Sequence, residues 1–239
     1  MSVPLSRQDQ QPVFVLHTYP FKETSLLVEM FSRDFGRIAA VAKGARRPRS
    51  AMRGMLQSFQ PLLGTWSGKS ELRNLHGMEW GEGLLLLQGD ALMCGFYLNE
   101  LLLRLLPRED PHSVLFGFYA QTLRELANGS EAVPILRCFE LRLLQELGYA
   151  LPLALDAEGA AIEPERDYCY VAEQGAQPGA GRESGVQLRG KTLLDMQLGD
   201  YGDPRTRQQS KQLMRTLLAH YLGDQPLYTR QLLMDLQEL

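Results

Sequence analysis

The sequence predicts an α+β chain of more than one domain: a small five-stranded barrel over about residues 1–80, then a mainly α-helical domain over 81–239 with a small irregular and partly β insertion at about 150–203. Three observations predict this. Short β-branched and aromatic runs separated by turn residues crowd the first third. Long apolar stretches bounded by N-cap residues, Pro and Gly begin at Gly89. Gly, Pro and Ala then accumulate between Ala150 and Asp203 and interrupt the helical pattern.

In the first third, Val13 to Tyr19, Thr24 to Ser32 and Arg37 to Lys43 read as strands, with turns at Pro20 and at Asp34 to Gly36. Leu56 to Trp66 and Glu71 to Trp80 read as two more, joined by the small turn SGKS. Five short strands in about 80 residues fit a closed or half-closed barrel, of which the oligonucleotide-binding (OB) fold is the commonest at that size. Gly89 to Leu106 is predicted as a buried helix that stops before Pro107. Asp110 and Pro111 are predicted to open a second helix running to Asn128, and Pro134 to Leu147 is a third, closed by Gly148. Within the insertion, DYCYVAE and GVQLRGKTLL carry strand patterning and QGAQPGAGRESG reads as a flexible loop. From Arg205 an amphipathic helix resumes, with one apolar face from Leu213 to Leu222, ending at Gly223; Pro226 is expected to start a last helix.

Composition bounds the function. At 239 residues and 44% hydrophobic, the chain can bury a core, and its longest apolar runs fall well short of the roughly 20 residues that span a bilayer. Neither a signal peptide nor a membrane partner is expected. Cys94, Cys138 and Cys169 have no short spacing, which argues against a disulfide framework and for a reducing cytoplasm. Net charge is −3, yet no Asp or Glu occurs from Phe35 to Ser70, where seven Lys and Arg leave about −10 for the remainder. This polarity centres on KGARRPRSAMRG, Lys43 to Gly54.

That stretch is the leading candidate for contact with phosphates, through Lys43, Arg46, Arg47, Arg49 and Arg53, with Arg37 just before it. A solvated loop is the simpler reading of most charge runs, but a loop kept soluble by charge tolerates mixed signs, whereas an acid-free cluster repels itself. Arg207, Lys211 and Arg215 recur at helical spacing and form a basic ridge on the later helix. An ordinary solvent-facing side of an amphipathic helix is the simpler reading of that spacing; the functional one is contact with DNA or an acidic peptide, for which Lys211 and Arg215 are the candidates. Aromatic residues of the barrel, among them Phe14, Tyr19, Phe21, Phe31, Phe35, Phe59 and Trp66, could stack on bases where they face outward, although most are expected in the core.

Catalytic signatures are weak. GTWSGKS has three residues between its glycines where a phosphate-binding loop needs four, and the adjoining ELRNLHGMEW reads as a strand rather than a helix. His17, His76, His112 and His220 lie in separate segments. A metal-dependent nuclease would need clustered carboxylates, for which Glu29 and Asp34 are the local candidates. A non-enzymatic protein without cofactors is expected.

The runs FVLHTYPFKETSLLVEMFSRDFGRIAAVAKGARRPRS, LQSFQPLL, YLNELLLRLL, RCFELRLLQELGY and KQLMRTLLAHYLGDQPLYTRQLL resemble, in order and separation, successive blocks of the bacterial DNA repair protein RecO family over about residues 12 to 236. The resemblance implies an N-terminal OB barrel and a C-terminal helical domain. It implies a recombination mediator that binds single- and double-stranded DNA, anneals complementary strands and, with RecR, helps RecA displace the single-stranded-DNA-binding protein. RecF is a further partner in prospect. It also implies recognition of that binding protein's acidic, hydrophobic C-terminal tail by the helical domain, with Arg137 of the RCFEL block as the partner of the tail carboxylate. Cys138 stands where relatives often have a second Arg. Many relatives carry a four-cysteine zinc module after the LGY block, where this chain supplies only Cys169, so no metal is expected.

Overall fold

The computed structural model describes residues 7–179, 185–223 and 226–229. They divide into two compact units, one of the described residues up to Asn128 with Tyr228 and Thr229, the other of those from Gly129 to Leu227. The first unit therefore takes in two helices beyond the boundary at residue 80 expected from composition, and the reason lies in what those helices cover.

The first unit begins with β1 (Arg7–Phe21), β2 (Ser25–Ser32) and β3 (Gly36–Ala42), followed by the one-turn helix α1 (Ala51–Met55), then β4 (Leu62–Ser67) and β5 (Leu72–Trp80). The strands close into a barrel in the order β1-β2-β3-β5-β4, antiparallel throughout except for the parallel pairing of β3 with β5. This is the five-stranded OB architecture. Alternation sends Val13, Val15, Val28, Met30, Ile38, Ala40 and Ala42 into the interior, where Leu62, Trp66, Leu75 and Met78 complete the core. A register shift between Val15 and His17 moves the second half of β1 onto the opposite alternation.

Two details depart from the sequence reading. β1 starts at Arg7, six residues before the first apolar position, because its polar segment pairs with β4. The strand expected from Leu56 begins only at Leu62; Phe59 takes a positive φ of 70° and breaks the run. SGKS is a hairpin turn between β4 and β5, as its spacing predicts.

α2 (Gly89–Leu105) and α3 (Ser113–Ala127) complete the unit. α3 starts at Ser113 rather than Asp110, with His112 at the N-cap. Phe116 and Tyr119 of α3 pack on Phe14 and Phe31, which lie side by side on the outside of the barrel. Buried Asn99 of α2 donates to the Leu16 carbonyl at 2.8 Å and accepts from the Tyr119 hydroxyl. Burial pushes the Tyr119 phenol well above the usual tyrosine range.

The connector between α2 and α3 is strapped to the edge of the barrel. The Arg37 Nε donates to the Leu106 carbonyl at 2.9 Å and the Glu109 amide to the Arg37 carbonyl at 3.0 Å. Arg73 holds the Glu109 carboxylate at 2.6 Å. Gly36, at φ 67°, lets the chain pass: a Cβ there would lie 2.0 Å from the Asp110 carbonyl oxygen.

The second unit contains α4 (Ala132–Glu146), the three-stranded antiparallel sheet of β6 (Asp167–Val171), β7 (Gly175–Pro178) and β8 (Val186–Arg189) in the order β7-β6-β8, then α5 (Gly190–Leu198) and α6 (Pro204–Leu222). The pairing of the DYCYV and VQLR segments matches the expectation, while TLLDMQL is helical and QGAQP supplies β7. α5 ends on Gly199 in the left-handed region, and α6 opens with Pro204 at N1 and the Asp203 carboxylate accepting from the Arg205 amide at 2.9 Å. The helix expected from Pro226 lies, beyond its first residues, outside the described residues.

Candidate nucleic-acid interface

The acid-free segment leaves the barrel at the end of β3 as a chain of turns. The Arg47 amide donates to the Gly44 carbonyl at 3.0 Å, that of Ser50 to Arg47 at 3.0 Å, and that of Arg53 to Ser50 at 3.2 Å. Apolar residues at intervals pin it: Ala45 and Leu56 are buried in the barrel core, and Met52 and Met55 of α1 pack against it. With the backbone held from below, Lys43, Arg46, Arg47, Arg49 and Arg53 are all exposed. Among the described residues none of the five has a carboxylate within ion-pair distance. Such a cluster raises the local positive potential and favours a polyanion.

The loop is also tied to the turn between β1 and β2. The Arg46 amide donates to the Thr24 carbonyl at 2.9 Å, and its guanidinium reaches the Lys22 and Glu23 carbonyls at 3.4 and 3.3 Å. Lys22, exposed in that turn, thereby joins the cationic surface. A linear count of charge overlooks it because Glu23 beside it cancels it; the alternation His17, Tyr19, Phe21 leading into it is the available signal.

Arg37 does not belong to this surface, contrary to the sequence reading. Its side chain is 15% exposed and bonds Glu29 at 3.2 Å, and Glu29 in turn holds Arg108 at 2.5 Å. Burial lowers the Arg37 pKa, with Glu29 opposing that shift and Arg108 adding to it. Arg37 is a barrel residue, paired with Glu29 on the neighbouring strand and bonded to the distant Leu106 carbonyl. The same network removes Glu29 as a metal ligand, and Asp34 is paired with Arg33 at 3.0 Å, which holds its carboxyl below the usual range.

In the second unit, Lys211 and Arg215 are exposed on α6. Arg207 is withdrawn from the ridge by Glu131 at 2.5 Å and by the Tyr201 carbonyl. Arg137 is likewise not presented as the sequence reading expects. Its side chain is 12% exposed and bonds Glu140, one turn on and fully buried, at 2.6 Å. On the same helix Leu141 and Gln145 join Leu151, Leu153, Leu155 and Met196 around an open, largely apolar groove of about 420 Å³.

The histidines serve separate local contacts: His76 bonds Ser67 at 2.6 Å, His112 faces Asp110, His220 faces Glu173, and the His17 ring lies tilted against the Tyr19 ring. Of the barrel aromatics, Phe14, Phe31, Phe59 and Trp66 are buried, whereas Tyr19 is 43% exposed. The segment from Leu151 to Asp203 has one cysteine, the buried Cys169, and among the described residues no three His, Cys, Asp or Glu side chains converge. No helix among the described residues is long and apolar enough to cross a membrane.

Comparison with known proteins accords with this architecture. Residues 7–83 match the family model "Recombination protein O N terminal" and residues 86–231 match "Recombination protein O C terminal". The chain is 58% identical over 242 residues to the DNA repair protein RecO of Nitrosospira multiformis, covering 100% of both chains. It is 55% identical to that of Dechloromonas aromatica, covering 98% of each, and 53% identical to that of Burkholderia orbicola, covering 98% of this chain and 84% of the relative. With an OB barrel bearing an acid-free cationic loop, and matches along its whole length, the chain belongs to the RecO family of DNA repair proteins.

Proposed function

We propose that the chain is a non-catalytic recombination mediator that binds single- and double-stranded DNA through the cationic loop and anneals complementary strands. With RecR it helps load RecA on DNA coated by the single-stranded-DNA-binding protein, in the bacterial cytoplasm and in association with the nucleoid. The observation that carries this reading is the row of five exposed cations, Lys43, Arg46, Arg47, Arg49 and Arg53, without carboxylate partners among the described residues. Neutralising phosphates on two strands lowers their repulsion and leaves the base edges free to pair, so no bond need be made or broken. Lys211 and Arg215 are a second set of proposed contacts.

The test is a titration of labelled oligonucleotide across a salt series, run beside a strand-annealing assay. Five or six engaged phosphates give a slope of log affinity on log salt near about −4 for single strands. Affinity indifferent to salt, or strand cleavage in magnesium, would reject the proposal.

The groove beside α4 favours a second role, capture of the acidic, hydrophobic tail of the single-stranded-DNA-binding protein. On this reading apolar burial in the groove, rather than a freely presented Arg137, supplies the affinity. Leu155, half exposed at the groove, is the position to test: Leu155→Asp should weaken a tail peptide while leaving oligonucleotide binding unchanged.

A further inference from the structure

The outer face of β1, β2 and β3 is covered at one end and bare at the other. Cross-strand pairing sets its rows: Phe14 beside Phe31, His17 beside Glu29, and Tyr19 beside Leu27, which in turn pairs with Val41 of β3. α3 seals the first row with Phe116 and Tyr119. In the second, Glu29 is buried beneath Arg37 and Arg108, two guanidinium groups to one carboxylate, while His17 is exposed. Nothing among the described residues seals the third. There Tyr19 is 43% exposed, Leu27 and Val41 are half-buried, and the His17 ring leans on the Tyr19 ring at 4.4 Å between centroids.

This bare row runs directly into cations. Phe21 is two residues beyond Tyr19 on the same strand face, with the Lys22 ammonium 5.5 Å from its ring. The hydrogen bonds from Arg46 to Thr24, Lys22 and Glu23 hold the loop bearing Lys43 and Arg46 against the same turn, whose one carboxylate is Glu23. A rigid strand thus sets an aromatic ring, steadied by a second ring, beside phosphate-binding charge. Bases in a duplex already stack on one another and expose only their edges, so such a ring can serve only unpaired bases.

Resting on the DNA-binding reading above, we infer that Tyr19, backed by His17, is a stacking platform for unpaired bases, with their phosphates at Lys22, Lys43 and Arg46. The cationic loop binds any strand; Tyr19 makes the site favour single strands.

The test compares labelled oligothymidylate with an abasic oligodeoxyribose phosphate of equal length, binding wild type, Tyr19→Leu and Tyr19→Phe. Wild type should prefer the oligomer that has bases. Tyr19→Leu should bind oligothymidylate about five- to tenfold more weakly, since one stack is worth about 1 kcal/mol or more. Its affinity for the abasic oligomer and its salt slope should not change, and Tyr19→Phe should behave as wild type. Equal wild-type affinity for the two oligomers, unaltered oligothymidylate binding by Tyr19→Leu, or an equal loss on both would overturn the inference while leaving a salt-dependent loop in place. Absence of salt-dependent binding by wild type would overturn the DNA-binding reading and this inference with it.

Discussion

The Glu29 carboxylate lies 3.2 Å from the Arg37 guanidinium on the neighbouring strand, and its other oxygen binds Arg108 from the connector between α2 and α3. Glu29 is only 6% exposed and Arg37 15%, so removing the carboxylate leaves the largely buried Arg37 guanidinium without its counterion and beside Arg108. Glu29→Ala is expected to destabilise the protein by about 3 kcal/mol, measured by urea unfolding. Arg37→Ala should lower stability in the same range, yet leave the salt slope of DNA binding unchanged. A flattened slope in a folded Arg37→Ala protein would return this residue to the DNA surface.

Replacing Arg46, Arg47 and Arg49 together by Ala should flatten the single-strand salt slope by about two units, because each lost phosphate contact contributes about 0.7. All three side chains are exposed, and the Arg46 guanidinium bonds the Lys22 and Glu23 carbonyls at 3.4 and 3.3 Å, contacts that the backbone bond from the Arg46 amide to Thr24 backs up. Thermal unfolding should therefore stay close to wild type. A folded triple variant with unaltered binding would shift attention to Lys211 and Arg215.

Arg137→Ala should act on stability before it acts on any partner. It strips a fully buried Glu140 of its 2.6 Å guanidinium partner, at an expected cost of about 3 kcal/mol in denaturant unfolding. Replacing both by apolar residues, Arg137→Met with Glu140→Leu, should recover most of the loss. A tail peptide that binds the double variant normally would show that the groove, rather than the guanidinium, holds it.

Burial raises the phenols of Tyr119, Tyr170 and Tyr201 above the ordinary tyrosine value. A group that keeps its proton longer when folded contributes fully below the unfolded pKa, near 10, and its contribution is lost as pH climbs past that value. Stability should accordingly fall above about pH 10. In an ultraviolet titration these three rings should ionise late, in step with unfolding rather than ahead of it.

Local pattern makes much of this legible. Strand alternation and turn residues locate β2, β3 and β5 nearly to the residue, and α6, read from Arg205 to Gly223, runs from Pro204 to Leu222. The features that escape depend on partners distant in the chain. Nothing near Arg37 reveals that Arg108 joins it on the Glu29 carboxylate, and RQDQQ looks like a tail until β4 supplies its backbone bonds. α5 reads as a strand continuation because its nine residues directly adjoin β8 without a break. In the site, the loop is visible as an acid gap, whereas Lys22 comes to it only through a hydrogen-bonded turn.

Gly36 admits the Asp110 carbonyl to within 2.0 Å of where any side chain would begin. Anything larger than hydrogen at that point would act as a wedge, prising the stretch from Leu106 to Asp110 off the barrel and carrying Arg108 and Glu109 away from their counterions. A single methyl on the edge of β3 would thus loosen the face on which Tyr19 stands.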